Sequence, residues 1–287
     1  MANTYEDKNW TSEDGLSLYY RDYAGPAGYG GLPVLCMHGL TRNSRDFAEL
    51  AEHLSKARRV IVPEMRGRGH SDYATDSDTY KPRQYVADVE KLLADLGIDR
   101  FISVGTSMGG LMTMLLAAAK PGRIAAVVMN DIGPEIDPEG ISRIAGYVGQ
   151  GKSYPTWMHA ARSLAETHKD AFPDYDLDQW LDMAKRGLVV SQNGRISYDY
   201  DMAIAEPFKQ ADNTPADALW PAFETLQGVP MLLVRGELSD LLTPATVDRM
   251  GQSNPAMTSV TVPRVGHAPM LDEPEALEAI DALLARV

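Results

Sequence analysis

The sequence predicts an α/β protein: a mostly parallel sheet with helices on both faces, interrupted by one long insertion. Three observations carry this expectation. Short apolar runs alternate with segments of helical periodicity from Leu16 to Met129 and again from Val229 to the C-terminus, the rhythm of repeated βαβ units. That rhythm is absent between Gly133 and about Trp220. Within the first of these stretches lies Gly105-Thr106-Ser107-Met108-Gly109, flanked by an apolar run before it and a Met/Leu/Ala-rich run after it.

Leu16 to Tyr23 alternates apolar and polar residues and reads as a half-exposed strand. Gly25 to Gly31 is a glycine-rich turn, and Pro33 to Met37 a short buried strand running into His38-Gly39-Leu40. Asp46 to Leu54 is expected to be helical with Ser44 as its N-cap. Arg59 to Val62 is the next buried strand. Tyr85, Val89, Leu92, Leu93 and Leu96 recur at helical spacing, and Gly97 ends that helix. Phe101 to Val104 and Ile124 to Met129 are buried strands on either side of the helix Leu111 to Ala119. After the insertion come a strand at Val229–Val234, a helix near Ala245–Met250, a strand at Ser259–Val262 and an amphipathic helix from Pro274 to Arg286. The insertion carries Trp157, Trp180 and Trp220. Its aspartate-rich stretch, Asp170 to Asp182, includes Phe172, Tyr175 and Trp180 and reads as the solvated face of an amphipathic helix.

A chain of 287 residues with 44% apolar composition can bury an ordinary core without disulfide staples. Its single cysteine, Cys36, lies in a buried strand and fits a reducing compartment. Net charge is −13 with no basic stripe, so nucleic acid is not expected as a partner. No secretory leader is expected at Met1–Trp10, nor any membrane span, and the expected location is cytoplasmic.

A Gly-x-Ser-x-Gly between strand and helix is a nucleophile elbow, which exposes one serine hydroxyl at the top of a parallel sheet. A serine hydroxyl is a weak nucleophile and needs a base that an acid orients. His267, in Val265-Gly266-His267-Ala268-Pro269 just past the last strand, is the expected base. For the acid, Asp240 is first choice because it falls where the chain turns toward the helix after Pro244, with Glu237 and Asp131 as competitors. Two backbone N–H groups are expected to receive a developing oxyanion, Met108 directly after the serine and Leu40 in the loop after Met37. His38 and Gly39 are assigned to the substrate pocket through turn geometry, and Tyr154 and Trp157 are candidate liners from the insertion. His53, His70, His159 and His168 read as surface or locally bonded residues, although His159 and His168 are placed so that either could line a pocket.

Together, His38-Gly39, Arg66-Gly67-Arg68-Gly69-His70-Ser71, Gly105 to Gly110, Asp240 and Gly266-His267 resemble the α/β-hydrolase superfamily in its lid-bearing serine branch. The resemblance implies an eight-stranded sheet, with residues 1–132 and 226–287 forming the core and 133–225 a mainly helical cap. One departure is Glu64, where the family usually has Asp before its arginine-glycine turn. Ser107 sets the chain apart from relatives that use an elbow aspartate, the haloalkane dehalogenases and epoxide hydrolases. The elbow is similar to those of enol-lactone hydrolases, small carboxylesterases and cofactor-free haloperoxidases. The expectation is a cofactor-free, metal-free serine hydrolase of a small carboxylic ester or lactone. The alternatives are a carbon–carbon or amide hydrolase and, from another class, a ligand-binding protein on a hydrolase scaffold. A narrow apolar cavity would indicate acyl chains, and one with Arg or Lys a substrate bearing a carboxylate.

Overall fold

The computed structural model describes residues 4–209 and 218–287. The expectations for Met1–Trp10 and for the cap at 133–225 therefore fall partly outside the described residues.

The chain opens with β1 (Glu6–Thr11) and β2 (Ser17–Tyr23), an antiparallel pair. There follow β3 (Val34–Met37), α1 (Ala48–Ser55), β4 (Val60–Pro63), α2 (Pro82–Asp95), β5 (Phe101–Thr106), α3 (Met108–Ala119) and β6 (Ile124–Asn130). After β6 the chain leaves the sheet through α4 (Pro138–Ala145), β7 (Ser153–Tyr154), α5 (Trp157–His168), α6 (Leu177–Gly187), β8 (Leu188–Val190), β9 (Ile196–Tyr198), α7 (Glu206–Lys209) and α8 (Trp220–Glu224). It returns with β10 (Met231–Gly236), α9 (Pro244–Ser253), β11 (Met257–Val262) and α10 (Pro274–Leu284).

The main sheet has eight strands in the order β1-β2-β4-β3-β5-β6-β10-β11. From β4 to β11 neighbouring strands are parallel, and only β1 and β2 run against their neighbours. This is the mostly parallel sheet that the sequence predicts. The edge strand β1 escapes sequence reading because Glu6-Asp7-Lys8-Asn9 carries no apolar alternation. β7, β9 and β8 form a separate antiparallel sheet within the insertion, where strands so short leave no periodicity to read.

Alternate residues of each central strand enter opposite core layers, as the two-residue period of a strand requires. In β10, Met231 and Leu233 join one layer, while Leu232 and Val234 join the other. The first layer is closed by α2 and α3 and also takes Trp220 and Phe223 of α8. The second is closed by α1 and α10. Ser44 is not the N-cap expected for α1. Asn43 caps a 3₁₀ turn at Ser44–Phe47 ahead of that helix, and the Ser44 hydroxyl donates instead to Glu64 at 2.6 Å.

Because β3, β5, β6, β10 and β11 are parallel, the loops that follow them gather at one sheet edge. Gly39-Leu40, Ser107, Asp131, Asp240 and His267 all lie there. β3 is the strand from which the order departs in both directions, to β4 on one side and β5 on the other. In open α/β sheets, ligand crevices form at such a switch point.

Candidate active site

Ser107 stands between the end of β5 and the start of α3, with φ 51° and ψ −114°. That left-handed conformation is costly for a residue with a Cβ and is typically stored at functional sites. The turn is possible because of its glycines. A Cβ on Gly109 would overlap the Met37 carbonyl oxygen, and one on Gly105 would lie 2.5 Å from the Gly109 carbonyl carbon.

His267 Nε2 is 2.9 Å from Ser107 Oγ, and His267 Nδ1 is 2.8 Å from Asp131 Oδ2. The structure therefore corrects the first choice of acid: Asp131, not Asp240, stands behind the imidazole. The reason lies in the strand register. Thr106 pairs with Asn130, and Ser107 and Asp131 are the next residue on each strand. Asp131 also takes a positive φ of 54°. Two further donors converge on its carboxylate, the Gly236 N–H at 2.9 Å and the Ser239 hydroxyl at 2.7 Å. Asp240 lies past that Ser239 turn and makes no hydrogen bond to His267, its carboxylate gripped by both Arg143 Nε and Arg143 Nη2 of α4. Burial raises the Asp240 carboxyl, but Arg143 outweighs it and holds the group below the usual carboxylate range. Glu237 is also elsewhere, accepting the Arg264 N–H at 2.7 Å.

The loop bearing His267 approaches closely because Gly236 lacks a side chain, where a Cβ would meet the Val265 and Gly266 carbonyl oxygens. Asn130 fastens the same loop to β5, donating from Nδ2 to Pro269 O at 2.8 Å and to Thr106 Oγ1 at 3.1 Å. Asn130 carried no motif signal. Its one sequence trait is a polar residue closing an otherwise apolar strand.

His38, directly after β3, is fully buried. Its Nε2 accepts the Met65 N–H at 3.0 Å, which leaves the proton on Nδ1 to be donated to Gly39 O at 2.7 Å. Gly39 O also accepts the Arg42 N–H at 3.1 Å. In a trans peptide the C=O and N–H point in opposite directions, so pinning Gly39 O sets the direction of the Leu40 N–H. The Leu40 carbonyl is held by Arg68 Nε at 2.9 Å. Gly39 is so close to the elbow that its missing Cβ would lie 3.7 Å from Ser107 Cβ. The Met108 N–H opens α3, where helix geometry leaves it without an intrahelical acceptor. Burial pushes the His38 imidazole down to about 4.

A cavity of about 90 Å³ lies over Ser107 and His267. Gly39, Leu40 and Arg42 form its floor, and Ile144, Leu164, Phe172, Met183 and Leu188 of the insertion supply its apolar wall. Tyr147, His168, Tyr198 and Tyr200 supply its polar wall. Of the four residues expected at the pocket, Gly39 lines it, while His38, Tyr154 and Trp157 are not among the lining residues. Tyr154 is buried with its hydroxyl 3.1 Å from Ser163 Oγ, and Trp157 packs against the second core layer. A helical periodicity places a residue on a face but does not say which face meets the sheet edge, so sequence named the wrong aromatics. Arg42 does not present a bare cation, because its Nη1 is 2.7 Å from Asp46 Oδ1. Among the described residues no cluster of three or more His, Cys, Asp or Glu side chains could hold a metal ion, and no helix is long and apolar enough to cross a membrane.

A profile of the alpha/beta hydrolase fold family matches residues 33–274. The chain is 36% identical to a 3-hydroxybutyrate-oligomer hydrolase of Cupriavidus necator over 266 residues, covering 90% of this chain and 89% of that one. It is 28% identical to a 2-(acetamidomethylene)succinate hydrolase of Mesorhizobium japonicum, covering 82% of this chain and 81% of that one. Among solved structures, it superposes with TM-score 0.95 on an alpha/beta hydrolase of Novosphingobium aromaticivorans, 56% identical with both chains covered in full.

Proposed function

The chain belongs to the alpha/beta hydrolase fold family, and from that membership we propose that it is a serine hydrolase of small carboxylic esters, working through an acyl-enzyme on Ser107. The observation that carries this reading is the unbroken relay from Ser107 Oγ through His267 to Asp131, at 2.9 and 2.8 Å. His267 Nε2 takes the Ser107 proton as the oxygen attacks the ester carbonyl. The tetrahedral oxyanion rests on the N–H groups of Leu40 and Met108. Donors of this kind contribute on the order of 10²–10³ in rate each. Asp131 holds the imidazole orientation and stabilises its cation. The protonated His267 gives its proton to the leaving alcohol, and water activated by the same imidazole then releases the acid.

Substrate class follows from the cavity and from one relative. About 90 Å³ is well below the roughly 300–1,000 Å³ of typical small-molecule pockets, which favours a short acyl group over a long fatty chain. Arg42 is already paired with Asp46, which argues against a carboxylate anchor at that position. The similarity to a 3-hydroxybutyrate-oligomer hydrolase over nine-tenths of the chain supports esters of short hydroxy acids. The insertion acts as a lid that shapes the acyl site and excludes water. The test is Ser107→Ala, assayed on p-nitrophenyl butyrate and on a 3-hydroxybutyrate trimer. Loss of turnover by a factor of about 10⁴ or more on both is expected, and wild-type turnover by the variant would refute the mechanism.

A further inference from the structure

The polar wall of the cavity includes an imidazole with no hydrogen-bonded protein partner among the described residues. The Tyr200 hydroxyl accepts the Gly149 N–H at 3.3 Å, Tyr147 lies near the Arg143 guanidinium and Tyr198 near Tyr154. Arg42 is paired with Asp46. His168 lines the same cavity, and among the described residues no hydrogen bond reaches either of its ring nitrogens. Its neighbour is the Tyr147 ring, edge-on with centroids 5.4 Å apart. Burial, followed by the nearby Arg42 and Arg143 guanidiniums, pushes the His168 imidazole down to about 4, so it is neutral at ordinary pH. A neutral imidazole offers one donor and one acceptor.

His168 is also held in place relative to the reacting groups. It is the last residue of α5, and its carbonyl accepts the Ala171 and Phe172 N–H groups at 2.9 and 3.1 Å. The Ala171 carbonyl in turn accepts the Gly266 N–H at 2.6 Å, directly before His267. Gly266 permits that approach, since a Cβ there would sit 2.7 Å from Ala171 Cβ. The turn bearing His168 is thus fastened to the loop bearing His267.

We propose that His168 is a specificity-determining residue that hydrogen-bonds a second oxygen of the substrate, a hydroxyl a few bonds from the scissile carbonyl. This deepens the ester-hydrolase reading and rests on it. A half-buried imidazole without a protein partner keeps its donor and acceptor free for a ligand, and a site built to bond a substrate hydroxyl discriminates strongly against the analogue that lacks it.

The test compares kcat/KM for p-nitrophenyl 3-hydroxybutyrate, in each enantiomer, with kcat/KM for p-nitrophenyl butyrate. The wild type should favour one hydroxylated enantiomer by tenfold or more. His168→Phe should lower that ratio at least tenfold, and His168→Gln, which keeps a donor and an acceptor, should hold it within about threefold of wild type. Because the readout is a ratio within one variant, a partial loss of folded protein cancels. A wild-type ratio near one, or a ratio unchanged in His168→Phe, overturns the proposal while leaving the ester-hydrolase reading intact. Failure of the wild type to cleave either ester removes both.

Discussion

Ser107 and Asp131 stand one residue beyond two neighbouring strands whose last residues, Thr106 and Asn130, pair in register. Adjacent parallel strands are about 4.8 Å apart, so the two side chains flank a gap that one imidazole can bridge. His267 bridges it. Asp240, four residues beyond the end of β10, has already turned toward α4 and Arg143.

This register separates two carboxylates that sequence order alone leaves as rivals. Asp131→Asn should lower kcat by about 10³–10⁴, the loss seen when the orienting acid of a triad becomes an amide. Asp240→Asn should stay within about tenfold of wild type, since its carboxylate contacts Arg143 rather than His267. Steady-state kinetics on p-nitrophenyl butyrate decide the matter. A large loss confined to the Asp240 variant would return the acid to the β10 loop.

The elbow makes a second claim, about stability. In Gly109→Ala the new methyl would occupy the space of the Met37 carbonyl oxygen, a backbone atom that cannot swing aside. Overpacking against fixed backbone costs about 1–3 kcal/mol and sometimes more, so Tm should fall by several degrees. Gly30→Ala is the control, because nothing lies within 4 Å of its Cβ position. Equal melting temperatures for the two variants would mean that the elbow is looser than its geometry indicates.

Legibility followed the physics of each signal. The strands from β2 to β6, and β10 and β11, announce themselves as short apolar runs. Ser107 and His267 could be named because motif and strand end coincide there. The choice between Asp131 and Asp240 could not be read, since it depends on which strand neighbours β5 and where the chain turns after Gly236. Strand order is a long-range property with no local pattern. One hint was present in Gly236, whose missing side chain admits the His267 loop beside Asp131, but a glycine after a strand has many uses. The cavity wall was least legible. His168 and His159 were indistinguishable in sequence, yet His168 faces the cavity and the His159 Nδ1 lies 2.8 Å from its own helix cap, Thr156 Oγ1.

His38 acts in two ways: its burial makes stability depend on pH, and its hydrogen bond to Gly39 O orients the Leu40 N–H. Its Nδ1–H fixes Gly39 O and thereby aims the Leu40 N–H. His38→Ala should lower kcat by about 10–100-fold, within the range for a weakened oxyanion donor, with KM changed only a few-fold. His38→Asn should recover part of the loss, because an Asn amide can reach the same carbonyl. Folding moves the imidazole pKa from 6.5 down to about 4. Between those values the unfolded chain holds a proton that the native protein does not, so stability falls as pH drops from about 6.5 to about 4 and then levels. A shift of that size corresponds to about 3 kcal/mol. His168 moves in the same direction to about 4, so the wild type should lose stability with up to two protons in this window. His38→Asn should remove one of them. Urea unfolding between pH 4 and 7 measures the slope; an unchanged slope in the variant would show that the buried His38 does not titrate in this window, and an undiminished kcat in His38→Ala would show that the bond to Gly39 does not govern the loop.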